Sequence, residues 1–105
     1  MSKPREINKD CFVIAIDASS KAATLATNYP AGSIAKGFND STTPVFIVAG
    51  KTAPTAVFPT SASVPVKGQV IGPKQPFEFE IPHGSLFISA IQGVAGTGNL
   101  YFSVV

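Results

Sequence analysis

The stretch Gln75–Val105, QPFEFEIPHGSLFISAIQGVAGTGNLYFSVV, decides the fold of this chain. It holds three β-segments, Pro76–Ile81, Ser85–Gln92 and Gly98–Val105, separated by turns that contain glycine. The first segment alternates strictly, and a period of two residues is typical of a strand with one buried face. Its apolar positions are Phe77, Phe79 and Ile81, and its polar positions are Glu78 and Glu80.

Four earlier segments have the length and composition of strands, because they are short and rich in apolar and β-branched residues. The predicted strands cover residues 12–17, 22–27, 33–39 and 44–50. Asp40–Thr43 is polar and separates the last two, which predicts a hairpin between them. In Lys51–Lys74 four prolines each remove a backbone donor, so the sequence allows only short edge pieces there, at Ala56–Phe58 and Val64–Val66.

No segment carries apolar residues at helical spacing over three turns. About eight short strands at intervals of 8–12 residues predict an all-β fold, an antiparallel β-sandwich of the jelly-roll kind. An immunoglobulin-like sandwich stays open as an alternative, although the chain lacks the Trp and the Cys pair of true immunoglobulin domains. The length of 105 residues suits one domain.

The first ten residues differ from the rest, because they hold five of the fourteen charged residues. We predict an extended N-terminal arm over residues 1–10 and a single β-sandwich domain over residues 11–105. An arm that orders only against another subunit is one hypothesis, and a frayed terminus without a role is the other. The candidate contacts with another subunit of an assembly are Lys3, Arg5, Ile7 and Lys9.

Charged residues make up 13% of the chain, about half of the ~25% typical of soluble domains. So few charges favour a protein whose faces are covered in an assembly, and a weakly charged monomer is the alternative. The net charge of +2 and the scattered lysines argue against nucleic acid as a partner. The chain has no apolar run that could cross a membrane and no secretory signal, and Cys11 is its single cysteine, so we expect synthesis in a reducing cytosol.

The residues that could support chemistry are few, and each has a simpler structural explanation. His83 lies in Pro82–Ser85, a sequence typical of a turn. Glu78 and Glu80 would lie ~7 Å apart, near the spacing of glycosidase carboxylates, but on one exposed strand face. We therefore expect no enzyme, no cofactor and no metal site, since one Cys and one His offer no metal-binding spacing.

Two other motifs could suggest a ligand site. The glycines of GVAGTG, at positions 93, 96 and 98, precede a strand and not the helix that a phosphate-binding loop requires, so we expect a hairpin turn with positive φ. Tyr29 beside Asn28 is an aromatic and amide pair that could begin a glycan site.

From Tyr29 onward the order of turns and strands resembles small virion proteins of tailed bacteriophages. The matching stretches are Pro30-Ala31-Gly32, Asn39–Gly50, Ile81–Gly84 and Ser89–Ile91 with Gly96–Tyr101. They cover about three quarters of the chain and are turn and strand patterns without a chemical signature. The charged arm, and the end of the chain directly after the last strand, depart from the commoner pattern of that family.

This resemblance implies a head decoration (cement) protein, or a related head or neck component, that binds the major capsid protein. It further implies a homotrimer on the capsid surface of the virion, made in the host cytoplasm, with no catalytic residues. The alternative hypothesis is a binding module of another kind, such as a host-glycan adhesin or a neck- or tail-associated protein.

Overall fold

The computed structural model describes residues 8–60, 63–94 and 98–105. These residues form eight β-strands and no helix, which confirms the predicted all-β class. The strands are β1 (Asp10–Ile16), β2 (Lys21–Thr24), β3 (Ile34–Asp40), β4 (Val45–Gly50), β5 (Gln69–Ile71), β6 (Pro76–Glu80), β7 (Phe87–Gln92) and β8 (Gly98–Val104).

The strands make two four-stranded antiparallel sheets. The first sheet has the order β1-β8-β3-β6 and the second the order β2-β7-β4-β5. The pairs β1–β8, β2–β7, β3–β6 and β4–β5 are all antiparallel neighbours, as if one long hairpin had been rolled up. This strand order is the jelly roll, and it resolves the alternative left open by the sequence.

Two predicted hairpins are wrong. β3 belongs to the first sheet and β4 to the second, so Asp40–Thr43 connects the two sheets instead of turning within one. β7 and β8 are likewise in different sheets. The glycines with positive φ in the described residues are Gly32, Gly68 and Gly84, so Gly93 and Gly98 do not supply the expected turn geometry, and Gly96 lies outside the described residues. In both places the turn residues predict that the chain changes direction, but they do not determine which sheet the next strand joins.

The core lies between the two sheets and is apolar. Phe77 and Ile81 are buried, Phe79 is half-buried and Glu78 and Glu80 are exposed, so the predicted alternation of β6 is confirmed. Phe12 stacks on Phe102 with their ring centroids 5.1 Å apart. The buried core residues are Ile14, Ile16, Leu25, Ala35, Val45, Ile47, Ile71, Phe77, Ile81, Ile88, Ala90, Leu100, Phe102 and Val104.

The connection between β4 and β5 lies against the outer face of the second sheet. Its residue Ala56 is buried and donates its backbone N–H to Ser20 Oγ over 2.8 Å. Phe58 meets Phe46 of β4 edge to face, with ring centroids 6.2 Å apart. The predicted edge pieces at Ala56–Phe58 and Val64–Val66 are not strands, and the edge strand of this region is β5. The prolines explain this, since they deprive the segment of ladder donors.

Two Pro-x-Gly turns adjoin each other at one end of the sandwich. Ser33 donates its N–H to the Pro30 carbonyl over 3.2 Å, and Ser85 donates to Pro82 over 3.1 Å. The third residue of each turn is glycine, with φ of +90° at Gly32 and +86° at Gly84. Such turns favour glycine because it has no Cβ to clash at positive φ. The turn predicted around His83 is therefore confirmed.

Candidate functional site

The most distinctive surface of the molecule is the outer face of the first sheet. A row of apolar side chains crosses all four of its strands at one level. Val13 of β1 is directly opposite Tyr101 of β8, Tyr101 is opposite Phe38 of β3, and Phe38 is opposite Pro76 of β6. We call Val13, Tyr101, Phe38 and Pro76 the apolar row.

The apolar row is open to solvent. Val13 is 57% exposed, Tyr101 45% and Phe38 38%, and Pro76 is also exposed. Directly opposed side chains in a sheet lie close enough to contact each other, so the row forms one continuous apolar strip. Four apolar side chains exposed side by side are unusual on the surface of a monomer, where exposed apolar residues normally occur singly.

Polar and small side chains border the apolar row on both sides. On one side Cys11, Ser103, Lys36 and Glu78 follow each other across the sheet in the same order of strands. On the other side Ala15 pairs with Asn99, and Asn99 with Asp40. An apolar centre with a polar rim is the usual anatomy of a protein–protein interface.

The two sheets differ in how their outer faces are covered. Phe46, on the outer face of the second sheet, is buried because the β4–β5 connection places Phe58 against it. In the described part of the chain no segment is packed in the same way over Phe38 and Tyr101, which stay exposed. The described residues therefore cover the apolar outer face of the second sheet and leave that of the first sheet open to solvent.

The predicted arm is only partly within the described residues. Lys3, Arg5 and Ile7 lie outside them, so their proposed role as contacts stays a prediction. Lys9 is exposed, and its carbonyl accepts a weak hydrogen bond from the Cys11 thiol at 3.4 Å. β1 begins at Asp10, which places the start of the first strand two residues earlier than predicted.

Tyr29, the candidate glycan residue, is half-buried against the core. Its hydroxyl donates to Asp10 Oδ2 over 2.5 Å. Burial, together with this hydrogen bond and the negative charge of Asp10, raises the pKa of Tyr29 to about 12. The Tyr29 ring therefore packs against the core, and its hydroxyl is bonded to the first residue of β1. A glycan site needs an exposed aromatic ring, so this arrangement does not match one.

A network of polar side chains is buried at the opposite end of the sandwich. Asn39 is fully buried, and its Nδ2 donates to the carbonyls of Thr43 and Gly72 at 3.1 and 3.0 Å. Ser41 Oγ lies 2.8 Å from Asn39 Oδ1. Gln92 Nε2 donates to Thr43 Oγ1 over 2.9 Å. The network joins the β3–β4 and β5–β6 connections, so Asn39 and Ser41 have a structural function.

A cavity of about 350 Å³ opens between the sheets, on the flank formed by β6 and β4. Its lining is mostly apolar and includes Ile47, Phe79 and Ile88, and its polar lining residues are Gln69 and Glu80. The volume is at the lower limit for small-molecule sites. Without convergent polar groups to orient a ligand, the cavity does not define a substrate class.

The described residues contain no group of three or more His, Cys, Asp or Glu side chains that could hold a metal ion. They also contain no helix that could span a membrane. His83 is exposed within its turn, and Glu78 and Glu80 point outward from one strand as expected.

Val13 and Tyr101 were not recognised from the sequence as surface residues. The alternation of β8 could have predicted the exposure of Tyr101, because Leu100 and Phe102 on either side of it are buried. The exposure of Val13 could not be predicted in this way, because the continuous apolar run Phe12–Ile16 has no polar positions that would mark an outer face. Only the pairing of strands shows that the exposed residues of three strands align.

Comparison with known proteins identifies the fold alone. No protein-family model and no curated protein matches the chain. A solved structure described as "Bacillus endospore appendages form a novel family of disulfide-linked pili" is similar, with a TM-score of 0.57 and 16% sequence identity. The similarity covers 92% of this chain and 80% of that one.

Proposed function

We propose that this chain is a structural protein that acts by binding other protein subunits, and not by catalysis. The observation that carries the proposal is the difference between the two sheets. One outer face is covered by the chain's own connection, while the other displays the apolar row in a protein with only 13% charged residues. An apolar strip with a polar rim is stabilised when a second protein surface removes it from water.

The finer proposal is a decoration protein of a tailed-bacteriophage capsid that binds the major capsid protein and stabilises the head. It rests on the resemblance of the Pro-x-Gly turns, the Asn39–Gly50 segment and the last strand to that class of virion proteins. The resemblance implies a homotrimer at the capsid surface. The similar fold of a pilus protein supports a structural role in general, and it favours neither a capsid nor another assembly.

The cysteine content restricts how such an assembly could be held together. The appendages of similar fold are described as disulfide-linked pili. These 105 residues contain a single cysteine, the exposed Cys11. One thiol per subunit can join two subunits at most, whereas a disulfide-linked chain needs at least two per subunit. Disulfides formed by Cys11 alone therefore cannot link these 105 residues into an assembly larger than a dimer.

The proposal is tested by co-sedimentation of the purified protein with empty, expanded capsids assembled from the major capsid protein of the proposed phage. We expect the wild type to co-sediment and Tyr101→Lys to bind at least tenfold more weakly, because a charge would be buried in the apolar row. Val70→Lys is the matched control, since Val70 is a similarly exposed valine on the outer face of the second sheet.

Binding to host cells with no binding to capsids would instead support the adhesin hypothesis. Equal capsid binding by Tyr101→Lys and the wild type would show that the apolar row is not the contact surface. A protein that binds neither capsids nor its own copies would contradict the proposal as a whole.

A further inference from the structure

The four edges of the two sheets are not equally protected against pairing with another strand. β6 carries Pro76 and two glutamates, and proline and charge are common devices that block edge pairing. β2 and β5 are short, with four and three residues. β1 has seven residues, DCFVIAI, with no proline and a single charge at its first position. It is the longest and most apolar of the four edges.

The direction of the backbone groups of β1 follows from the pairing of β3 and β8. Ile34 and Val105 exchange two hydrogen bonds of 2.9 and 2.8 Å, so they are a hydrogen-bonded pair. In an antiparallel sheet the residues of a strand direct their N–H and C=O groups alternately to the two sides. Val104, Phe102 and Leu100 therefore face β1, and their partners Asp10, Phe12 and Ile14 face β8.

The remaining residues of β1 direct their backbone groups away from the sheet. These residues are Cys11, Val13 and Ala15, and all three side chains lie on the exposed outer face. β1 ends the strand order of the first sheet, so no strand of the described chain pairs with these groups. The three backbone N–H groups and three carbonyl groups of these residues thus form an edge to which another strand could pair.

We infer that β1 pairs in antiparallel orientation with β1 of a second copy of this chain, around a twofold axis at Val13. Val13 then lies opposite Val13 of the second copy, and Cys11 lies opposite Ala15 at both ends. This register satisfies every open backbone group of both edges with about six hydrogen bonds. The two first sheets become one sheet of eight strands.

The sequence of β1 favours a second copy as the occupant. The register places small or apolar residues opposite each other and brings no like charges together, since Asp10 falls opposite Ile16. A twofold axis perpendicular to the sheet keeps both outer faces on the same side. The apolar row of one copy therefore continues through Val13 into the apolar row of the other. The net charge of +2 per chain opposes this contact only weakly.

The inference concerns the isolated protein and goes beyond the proposed function, because it does not depend on the identity of a larger assembly. It competes with the trimer that the resemblance implies, since a twofold contact yields an even number of copies. Light scattering after size-exclusion chromatography at micromolar concentration distinguishes the dimer from the trimer. We expect a mass twice the 10.9 kDa of the chain.

Val13→Lys should convert the dimer to a monomer, because two lysines would be opposed at the twofold axis. The matched control is again Val70→Lys, on the edge strand of the other sheet, which should remain dimeric. Both variants should keep the circular dichroism spectrum and the melting temperature of a folded β-protein. A wild type that is monomeric or trimeric, or a Val13→Lys variant that stays dimeric, would overturn the inference.

Disulfide trapping tests the register independently. Hydrogen-bonded pairs have Cα atoms ~5.5 Å apart, within the ~4.4–6.8 Å range of disulfides. Cys11→Ala/Val13→Cys should therefore form a covalent dimer on mild oxidation, and Ala15→Cys should do so by pairing with the native Cys11. The wild type should not, because its two Cys11 residues would be ~13 Å apart along the strand. Cross-linking of the wild type, with none in the two variants, would contradict this register.

Discussion

The hydroxyl of Tyr29 donates a hydrogen bond to Asp10 Oδ2 across 2.5 Å, and this contact fixes the first residue of β1 to the loop between β2 and β3. The partners are nineteen positions apart in sequence. Asp10 is the residue at which β1 begins, so the contact anchors the start of the first sheet.

The burial of Tyr29, together with this contact, makes stability depend on pH in the alkaline range. The pKa of Tyr29 is raised from 10.0 to about 12, so the folded protein keeps a proton that the unfolded chain loses first. The stabilisation is complete below pH 10 and is lost as the pH rises from 10 to about 12. We expect Tyr29→Phe to unfold at lower urea concentration near neutral pH and to lose less stability than the wild type over that alkaline range. Tyr101→Phe leaves the Tyr29–Asp10 contact in place and should behave as the wild type.

Asn39→Asp should destabilise the fold by at least about 2 kcal/mol, because a carboxylate cannot donate to the Thr43 and Gly72 carbonyls and its charge would be buried. Urea denaturation followed by circular dichroism measures the loss. Asn28→Asp, the same substitution at an exposed position, should change stability by less than about 0.5 kcal/mol. Similar losses in the two variants would show that the buried network has no special role.

Gly37→Ala should prevent normal pairing of β3 with β8. A Cβ at Gly37 would lie 1.8 Å from the Tyr101 carbonyl oxygen and 2.6 Å from the Phe102 Cα, and both are backbone atoms that cannot move aside. We expect a loss of more than about 3 kcal/mol, or no folded protein. At Gly72 the nearest atom is the flexible Gln75 Cγ at 3.2 Å, so Gly72→Ala should be tolerated. A stable Gly37→Ala variant would indicate a different separation of β3 and β8.

Phe58→Ala should remove the cover from Phe46 and cost about 2 kcal/mol, less than for a fully buried ring because Phe58 is half-buried. Thermal unfolding provides the measurement, and binding of a hydrophobic dye reports the uncovered sheet face. Val57→Ala is the control, since the neighbouring Val57 is exposed. If Phe58→Ala changed neither quantity, the β4–β5 connection would not cover the second sheet in solution.

Much of the local structure could be predicted from the sequence. The strict alternation of Phe77, Phe79 and Ile81 identified β6, and the Pro-x-Gly pattern identified the turns at Gly32 and Gly84. These features depend on side chains a few positions apart, and both the pleat of a strand and the steric freedom of glycine act over that range. The boundaries of β1 and β2 differ from the predicted ones, because the ends of a strand depend on the strands that pair with it.

The candidate site could not be predicted in the same way. Val13, Phe38 and Tyr101 are separated by 25 to 88 positions and become neighbours only through the β1–β8 and β3–β8 pairings. The sequence suggested Tyr29 as a candidate glycan residue, but in the tertiary structure Tyr29 is half-buried and hydrogen-bonded to Asp10. The two predicted hairpins failed for a related reason, since a polar turn does not determine the sheet that the next strand joins.

By itself the sequence determined that this protein is built of short strands, with few charged residues and few side chains that could support catalysis. The periodicity of two, the prolines of the middle segment and the turn glycines act locally and are present in every conformation of the chain. Only the tertiary structure decided which strands pair, which outer face is covered and which edge stays open. These are properties of long-range contacts, whose free energy depends on how the whole chain excludes water from its two sheets.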